Sequence, residues 1–283
     1  MFLRTLTVCA VVAGLSTAAS AGPVNTENKT VEHQGETSLL ALVEFGAGSL
    51  EVHQGPPDLL LDATVTYDRE YVDVYLDYSR RSDRGILELV SDVDVDGRVH
   101  KLTNEWDVGL NPEVPLELEL EVGAAEARID CSALPLTRLD MDIGAADAEV
   151  WWDRPNPERL EEITIDCGAA SLHMEGLGFA NFEYLDFDGG MGSFELDFTG
   201  SWRQSAEANI DVGMGSLEVI IPEDIGVRIE TDGSFLSSVD VDRHIREIDD
   251  NLYETANYEN AEIQLNIRVQ IGMGSVDVRA VRR

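Results

Sequence analysis

The sequence predicts an all-β protein, folded as a right-handed parallel β-helix-like solenoid with glycine corners and rungs of about 20–24 residues. Two observations predict this class. A glycine followed by a short strand-like segment recurs, as in FGAGSLEV from Phe45, VGMGSLEV from Val212 and IGMGSVDV from Ile271. On both sides of each glycine, apolar and polar residues alternate with a period of two, which is typical of a strand with one buried face. Repeated units of this kind bury their apolar faces by stacking on one another.

The first 21 residues have the features of a secretory signal peptide. Arg4 precedes a short apolar run, and Ala19, Ser20 and Ala21 form a small-residue cleavage site. The apolar run is shorter than the ~20 residues that cross a bilayer, and an uncleaved anchor is the alternative. We therefore expect an exported protein, periplasmic or secreted, that is cleaved after Ala21. The next segment, residues 22–37, is polar and is expected to be a flexible N-terminal segment.

The following elements are expected in chain order. Residues 38–115 form an N-terminal strand-rich region that contains LLLDATVTYD, REYVDVYLDY and a hairpin turn at Asp96-Gly97. Residues 116–283 form the solenoid repeats, with a polar side loop near 243–261 before the last rung. The glycine that opens each copy of the repeat is called here the reference glycine, and these glycines are Gly46, Gly123, Gly144, Gly168, Gly190, Gly213, Gly233 and Gly272. From Gly123 to Gly233 they are separated by 21, 24, 22, 23 and 20 residues, which is the period expected of stacked rungs.

The acidic composition restricts the classes of partner. The chain carries 55 acidic and 20 basic residues, a formal net charge of −35. Nucleic acids require a basic surface, and anionic membranes attract one, so neither is an expected partner. An unidentified envelope protein or polysaccharide remains as the expected partner.

The alternation also predicts two outward-facing columns of acids. The first column lies two residues before the reference glycine and comprises Glu44, Glu121, Asp142, Asp166, Asp188 and Asp211. The second lies five residues after it and comprises Glu51, Glu149, Glu195, Glu218, Asp277 and, after an insertion, Asp240, with Arg128 and His173 interrupting it. Like charges on strands about 4.8 Å apart repel each other. We therefore expect the protein to be more stable in high salt or millimolar calcium than in dilute buffer.

The sequence favours a non-catalytic protein without a cofactor. The five histidines show no ligand spacing, and the G-x-G pairs precede strands instead of the helix that a dinucleotide site requires. The expected function is an exported structural or interaction module, adhesin-like and associated with the cell envelope. The alternative is a carbohydrate-active β-helix enzyme, a lyase or a hydrolase, that acts on envelope or extracellular polysaccharide with paired carboxylates.

One segment offers a candidate calcium site. Asp92, Asp94 and Asp96 alternate as the first ligands of a calcium loop do, but Thr103 occupies the position where such a loop carries its bidentate glutamate. A hairpin with acids on its solvent face is the favoured alternative.

Two pairs of residues suggest local contacts. Trp151 and Trp152 are candidates for an aromatic surface that contacts sugar, although neighbouring residues on a strand face opposite sides. One core ring and one surface ring is therefore the favoured arrangement. Cys131 and Cys167 stand at apolar positions of the repeat, which favours two buried thiols over a disulfide.

These motifs resemble those of the toast-rack family of bacterial envelope proteins, and the chain is also similar to the C-terminal domain of LiaF-type cell-wall-stress proteins and to adhesin-like domains. The resemblance rests on VEFGAGSLEV followed by DLLLDATVTY, on VPLELELEVGAAEARIDCSALPLTRLDMDIGAADAEV, and on the closing IGMGSVDVR. It extends over nearly the whole chain that follows the signal segment. It implies an envelope location with a role in adhesion or stress signalling, and it implies no catalytic residues.

Overall fold

Strands dominate the computed structural model, which describes residues 24–93, 102–233 and 237–282. The only helical elements in these ranges are one α-helical turn, Leu177–Ala180, and one 3-10 turn, Tyr258–Asn260. The strands are β1 Val24–Glu32, β2 Ser38–Gln54, β3 Leu59–Asp68, β4 Val72–Arg81, β5 Arg84–Val93, β6 Asn104–Leu110, β7 Leu116–Asp130, β8 Leu136–Ile143, β9 Asp147–Trp151, β10 Leu160–Glu175, β11 Phe182–Asp197, β12 Ala206–Pro222, β13 Gly226–Gly233, β14 Ser237–Val241, β15 Arg246–Asp249, β16 Leu252–Glu254 and β17 Gln264–Val281. The all-β prediction is confirmed.

The strands form a parallel stack of layers, in which a layer is one long strand or two short strands end to end. The layer formed by β8 and β9 lies between β7 and β10, and β11 and β12 follow β10. Equivalent repeat positions pair directly, as when Leu172 of β10 faces Phe194 of β11 and Phe194 faces Leu217 of β12. The spacing between successive reference glycines in the sequence is therefore the number of residues from one layer to the next.

The order of the layers departs from the order of the chain at both ends of the stack. The layer formed by β5 and β6 pairs with the outer side of β2, while β7 pairs with its inner side. At the other end, β17 lies between β12 and the layer formed by β13 and β14. The sequence placed Gly272 in the last rung of the stack. This expectation is corrected, since β17 lies inside the stack, and β5 and β6, which the sequence did not place among the repeats, form a further layer.

Antiparallel strands cover the outer edges of the stack. At one end β4 pairs with β5, β3 pairs with β6, and β1 pairs with β3. At the other end β16 pairs with β13, and β15 pairs with β16. The expected side loop near 243–261 therefore contains two strands, β15 and β16, of which β16 pairs with β13. They cover a strand edge that would otherwise expose unpaired backbone groups to association with other chains.

Inward-facing side chains from successive layers form one apolar core. A buried column one residue before the reference glycine includes Phe45, Val122, Ile143 and Val212. In β11 this position is Gly189, where a Cβ atom would lie only 2.8 Å from the Phe194 ring. The rings of Phe187 and Phe194 fill this space edge to face, with centroids 5.1 Å apart. Each large apolar side chain buried in this way stabilises the fold by about 1.5–3 kcal/mol.

The glycines do not act as the predicted corners between separate strands. Strands β2, β7, β10, β11, β12 and β17 continue through their reference glycines. The layer of β8 and β9 is interrupted beside Gly144, and β13 ends at Gly233. Neighbouring strands keep the same register on both sides of the reference glycine. The right-handed solenoid winding stays a prediction. Within the described residues, neither helical turn has the length and apolar character needed to cross a membrane.

Candidate functional site

The reference glycines other than Gly233 stack along one edge of the molecule, called here the glycine edge. A Cβ atom placed on Gly144 would lie 2.8 Å from the carbonyl oxygen of Gly123, and one on Gly213 would lie 2.7 Å from that of Gly190. Real Cβ atoms do not approach backbone oxygen so closely, so only glycine allows neighbouring layers to meet here. Close backbone approach therefore explains why the chain has glycine at these positions.

A second glycine, two residues further on, provides the unusual backbone conformation. Gly48, Gly215 and Gly274 have φ angles of 130°, 142° and 139°. Residues with a side chain rarely adopt this region of φ, which explains the G-x-G spacing in these layers. The positive φ angle lies at the second glycine and the close approach lies at both.

The first acidic column runs beside the glycine edge without a break over six layers. Its members are register partners in the order Glu44, Glu121, Asp142, Asp166, Asp188 and Asp211. Gln270 of β17 continues the column after Asp211. Since neighbouring parallel strands are about 4.8 Å apart, these carboxylates form a continuous line of negative charge.

Two members of this column show the electrostatic cost of the arrangement. Partial burial and then the carboxylates of Glu44 and Asp142 raise the pKa of Glu121 above its usual value. Partial burial and then the carboxylates of Asp188 and Asp142 raise the pKa of Asp166 in the same way. A shallow cavity of about 270 Å³ beside Glu44, Glu121 and Asp142 opens onto the glycine edge. The column can attract cations, but its carboxylates stand in a row and do not converge on one point.

The second column is partly neutralised by basic groups. Arg128 faces Glu149, with Nε and Oε2 3.6 Å apart, and His173 Nδ1 lies 3.4 Å from Glu195 Oε2. Arg279 contacts both Glu218 and Asp277. The residues predicted from the sequence all lie in this column, but repulsion is concentrated in the first column.

Sequence reasoning missed a face of mixed charge near the β13 end of the stack. The guanidinium of Arg228 lies 4.3 Å from the centroid of the Tyr258 ring, and its Nη2 lies 2.6 Å from Glu254 Oε1. Tyr258 Oη donates a hydrogen bond of 2.7 Å to Asn266 Oδ1. These contacts fasten the covering segment, which contains β16 and the 3-10 turn, to β13 and β17. Arg228 follows the same alternation as the acids, and only its charge could have drawn attention to this face.

The candidate calcium site is only partly inside the described structure. Asp92 lies on β5 opposite Asp73 of β4, while Asp94 and Asp96 lie outside the described residues, as does the Asp96-Gly97 turn. In the described ranges, no group of three or more His, Cys, Asp or Glu side chains is arranged to hold a metal ion. The calcium site stays a prediction.

The structure separates the two tryptophans and buries the two thiols. Trp152 is 2 % exposed and belongs to the core, whereas Trp151 is partly exposed, so the two rings do not form one surface. This corrects the candidate contact surface, because neighbouring strand residues face opposite sides. Cys131 and Cys167 are both free and buried, and burial raises the pKa of the Cys167 thiol to about 12. Neither cysteine is poised for nucleophilic chemistry.

The fold and this surface define an all-β protein of stacked parallel layers with charged columns along its exterior. Two family models match this chain. The N-terminal domain of toast_rack, DUF2154, matches residues 20–175, and the family described as "Cell wall-active antibiotics response LiaF, C-terminal" matches residues 176–278. Because the first match covers more than half of the chain, the protein belongs to the toast-rack family. The domain boundary expected at residues 115–116 stays a prediction.

A solved structure agrees with the fold. A "putative cell adhesion protein" from Clostridium sporogenes is 20 % identical, covers 91 % of this chain and 100 % of its own, and has a TM-score of 0.50. A "putative adhesin" from Bacteroides fragilis is 11 % identical, covers 92 % of this chain and 100 % of its own, and has a TM-score of 0.40. A search of curated proteins finds no match. At these identities the similarity concerns the fold alone.

Proposed function

We propose that the protein is an exported, non-catalytic module of the bacterial cell envelope that binds a partner along its acidic exterior. The observation that supports this most directly is the unbroken column of six carboxylates from Glu44 to Asp211 on neighbouring layers. A repeated row of one chemical group suits contact with a repetitive or extended partner. It does not single out one atom of a small substrate.

The arrangement of the carboxylates supports binding over glycoside hydrolysis. A glycosidase places two carboxyl groups about 5–10 Å apart on opposite sides of the bond to be cleaved. Glu121 and Asp166 have raised pKa values, as a general acid does, but the causes are partial burial and then neighbouring carboxylates, foremost those of the same column. The families matched by the chain also describe envelope domains without naming an enzymatic activity.

The charge of the column points to the chemistry of the partner. Carboxylates without matching arginines attract cationic groups, and a net charge of −35 strengthens this attraction over the whole surface. The proposed partner is therefore an envelope protein or polysaccharide that presents positively charged groups. The neighbours described as adhesion proteins support contact with another surface component, and the signal-like segment before residue 22 supports export.

Cell fractionation followed by affinity capture tests this function. The expected result is that the protein is found in the envelope or secreted fraction and that a tagged form retains a specific component of the native envelope. The double variant Asp166→Asn and Asp188→Asn should retain less of it. Asp153→Asn serves as the matched control, since Asp153 is an exposed acid that pairs with Arg154 outside the column.

Two results would contradict the proposal. One is equal retention by the wild-type protein and the column variant, which would remove the acidic column from the interaction. The other is release of new reducing or unsaturated ends from envelope polysaccharide by the purified protein, lost on substitution of Asp166, which would establish the enzyme alternative.

A further inference from the structure

Three exposed methionines lie side by side on the glycine edge. The sequence G-M-G-S occurs at Met191, Met214 and Met273, and these residues are direct register partners on β11, β12 and β17. Their exposed fractions are 54 %, 41 % and 41 %, whereas Met141 and Met174 are fully buried. We call Met191, Met214 and Met273 the methionine ladder.

The fold creates this ladder through its non-sequential layer order. Met273 follows Met214 by 59 residues, and a separate layer, β13 with β14, intervenes along the chain. Because β17 is inserted next to β12, the third methionine nevertheless lies beside the second. At the same position in the remaining repeat layers between β2 and β10, the chain carries Ala47, Ala124, Ala145 and Ala169.

The surrounding backbone leaves these side chains free to move towards one another. Each methionine has a glycine on both sides, so no side chain of its immediate neighbours crowds it. Beyond the second glycine, the hydroxyls of Ser193 and Ser216 are hydrogen-bonded to each other at 3.1 Å, which holds two of the layers in register. Methionine has three rotatable bonds, and neighbouring strands are about 4.8 Å apart, so the three sulfur atoms can converge on one point above Met214.

We propose that the methionine ladder binds one soft monovalent metal ion, Cu(I), through the thioether sulfurs of Met191, Met214 and Met273. Thioethers are soft ligands that select Cu(I) over hard cations such as Ca²⁺ or Mg²⁺. Unlike a thiol or an imidazole, a thioether needs no deprotonation, so proton competition does not weaken the site. Asp188 and Asp211 lie three residues before Met191 and Met214, and their charge attracts the cation without occupying the ladder.

The apolar character of the ladder does not by itself explain the arrangement. A stable protein interface buries about 800 Å² on each partner and has an apolar centre rich in aromatic residues. The ladder is one side chain wide, with Asp188, Asp211 and Gln270 on one side and a column of serines on the other. This narrow strip is better suited to an ion than to an apolar protein surface.

Nuclear magnetic resonance of the intact protein with ¹³C-labelled methionine methyl groups tests the proposal. Ag(I) is the first probe, because it shares the softness of Cu(I) and does not change oxidation state, and Cu(I) kept reduced under nitrogen is the second. The expected result is that the signals of Met191, Met214 and Met273 shift together and stop shifting at one ion per protein. The buried Met141 and Met174 serve as internal controls and should not shift.

Leucine variants separate coordination from apolar contact, since leucine preserves the apolar volume and removes the sulfur. Met214→Leu should weaken Ag(I) binding at least about tenfold, the loss that even an outer-shell partner of a metal site can cause. The triple variant should abolish the saturable shift while its circular dichroism remains that of the wild type. Unchanged Ag(I) affinity in the triple variant, or methyl signals that do not respond, would overturn the proposal. The proposal would also be overturned if the wild type and the triple variant retained the same protein partner equally and the wild type did not bind the ion. The ladder would then be an apolar docking surface.

Discussion

Asp166 of β10 and Asp188 of β11 face each other as register partners, and a further carboxylate flanks each of them, Asp142 on one side and Asp211 on the other. No basic residue separates any of these four acids along the column. The fold therefore holds like charges together that the unfolded chain would keep apart, and this strain is electrostatic and open to screening.

The first prediction is that salt stabilises the protein. Sodium chloride should raise the melting temperature by screening the column, and Asp166→Asn should raise it in dilute buffer by the equivalent of about 0.2–1 kcal/mol. Thermal melts with sodium chloride and with calcium at matched ionic strength measure the effect. A larger rise with calcium would indicate specific divalent sites, and a melting temperature that responds to neither salt would contradict the prediction.

The second prediction concerns acid stability and Glu27. Burial opposes ionisation of this carboxyl, but hydrogen bonds from Lys29, Arg69 and Tyr67 outweigh it and lower its pKa from 4.5 to about 2. A lowered pKa in the folded state contributes stability above pH 4.5, and this contribution is lost as the pH falls from 4.5 towards 2.

Glu27→Gln should therefore destabilise the protein at pH 7 by about 1–2 kcal/mol, with the difference from wild type shrinking as the pH falls through that window. Urea unfolding at several pH values measures it. Glu32→Gln, at the end of the same strand, is the control. A difference that stays constant from pH 7 to pH 2 would show that the charge of Glu27 is not responsible.

The third prediction concerns the close contact of backbones at the glycine edge. In Gly213→Ala, the new methyl group would lie 2.7 Å from the carbonyl oxygen of Gly190, so neighbouring layers must move apart. The expected loss of stability is about 1–3 kcal/mol. Met214→Ala, one residue further on and exposed, should cost much less. Equal losses in chemical denaturation would mean that the close contact is not what requires glycine at position 213.

The fourth prediction concerns the shared core. Leu217 of β12 is 1 % exposed, and its register partners are Phe194 and Val276 in the two adjacent layers. Leu217→Asp should cost more than about 4 kcal/mol and unfold several layers together, because a charge there is buried by both neighbours. Ser216→Asp, on the outward face, is the control. Circular dichroism should show loss of strand signal for the first variant alone, and a folded Leu217→Asp protein would argue against a shared core.

The sequence predicted the registers of the layers from β7 to β12 because each of them carries its own local signal, whereas Gly233 of β13 pairs with Ile271 and is one residue out of register with Gly272. The glycine at 144 or 168 and the alternation around it fix which side chains face inward, and so the acidic column could be anticipated without a structure. The position of β17 could not be anticipated in this way, since nothing near Gly272 specifies that β17 lies between β12 and β13 instead of beyond β13. The layer formed by β5 and β6 was also missed, because no copy of the glycine repeat joins its two halves, which are separated by residues 94–103.

The methionine ladder and the mixed-charge face could not be predicted from the sequence for the same reason. Met214 and Met273 become neighbours only when the order of layers is known, and Arg228 meets Tyr258 only when the covering segment has folded onto β13. Local patterns determine which way a side chain points, whereas the pairing of distant strands determines which side chains meet.

The interior position of β17 makes the stack sensitive to the loss of this strand. In a stack that followed chain order, clipping the last strand would shorten the molecule by one terminal layer. Here the loss of β17 would leave a gap inside the stack, with β12 on one side and β13 and β14 on the other deprived of their partner at once. Cleavage before β17 would therefore weaken two layers at once, and the stack cannot close between β12 and β13 until β17 has been synthesised.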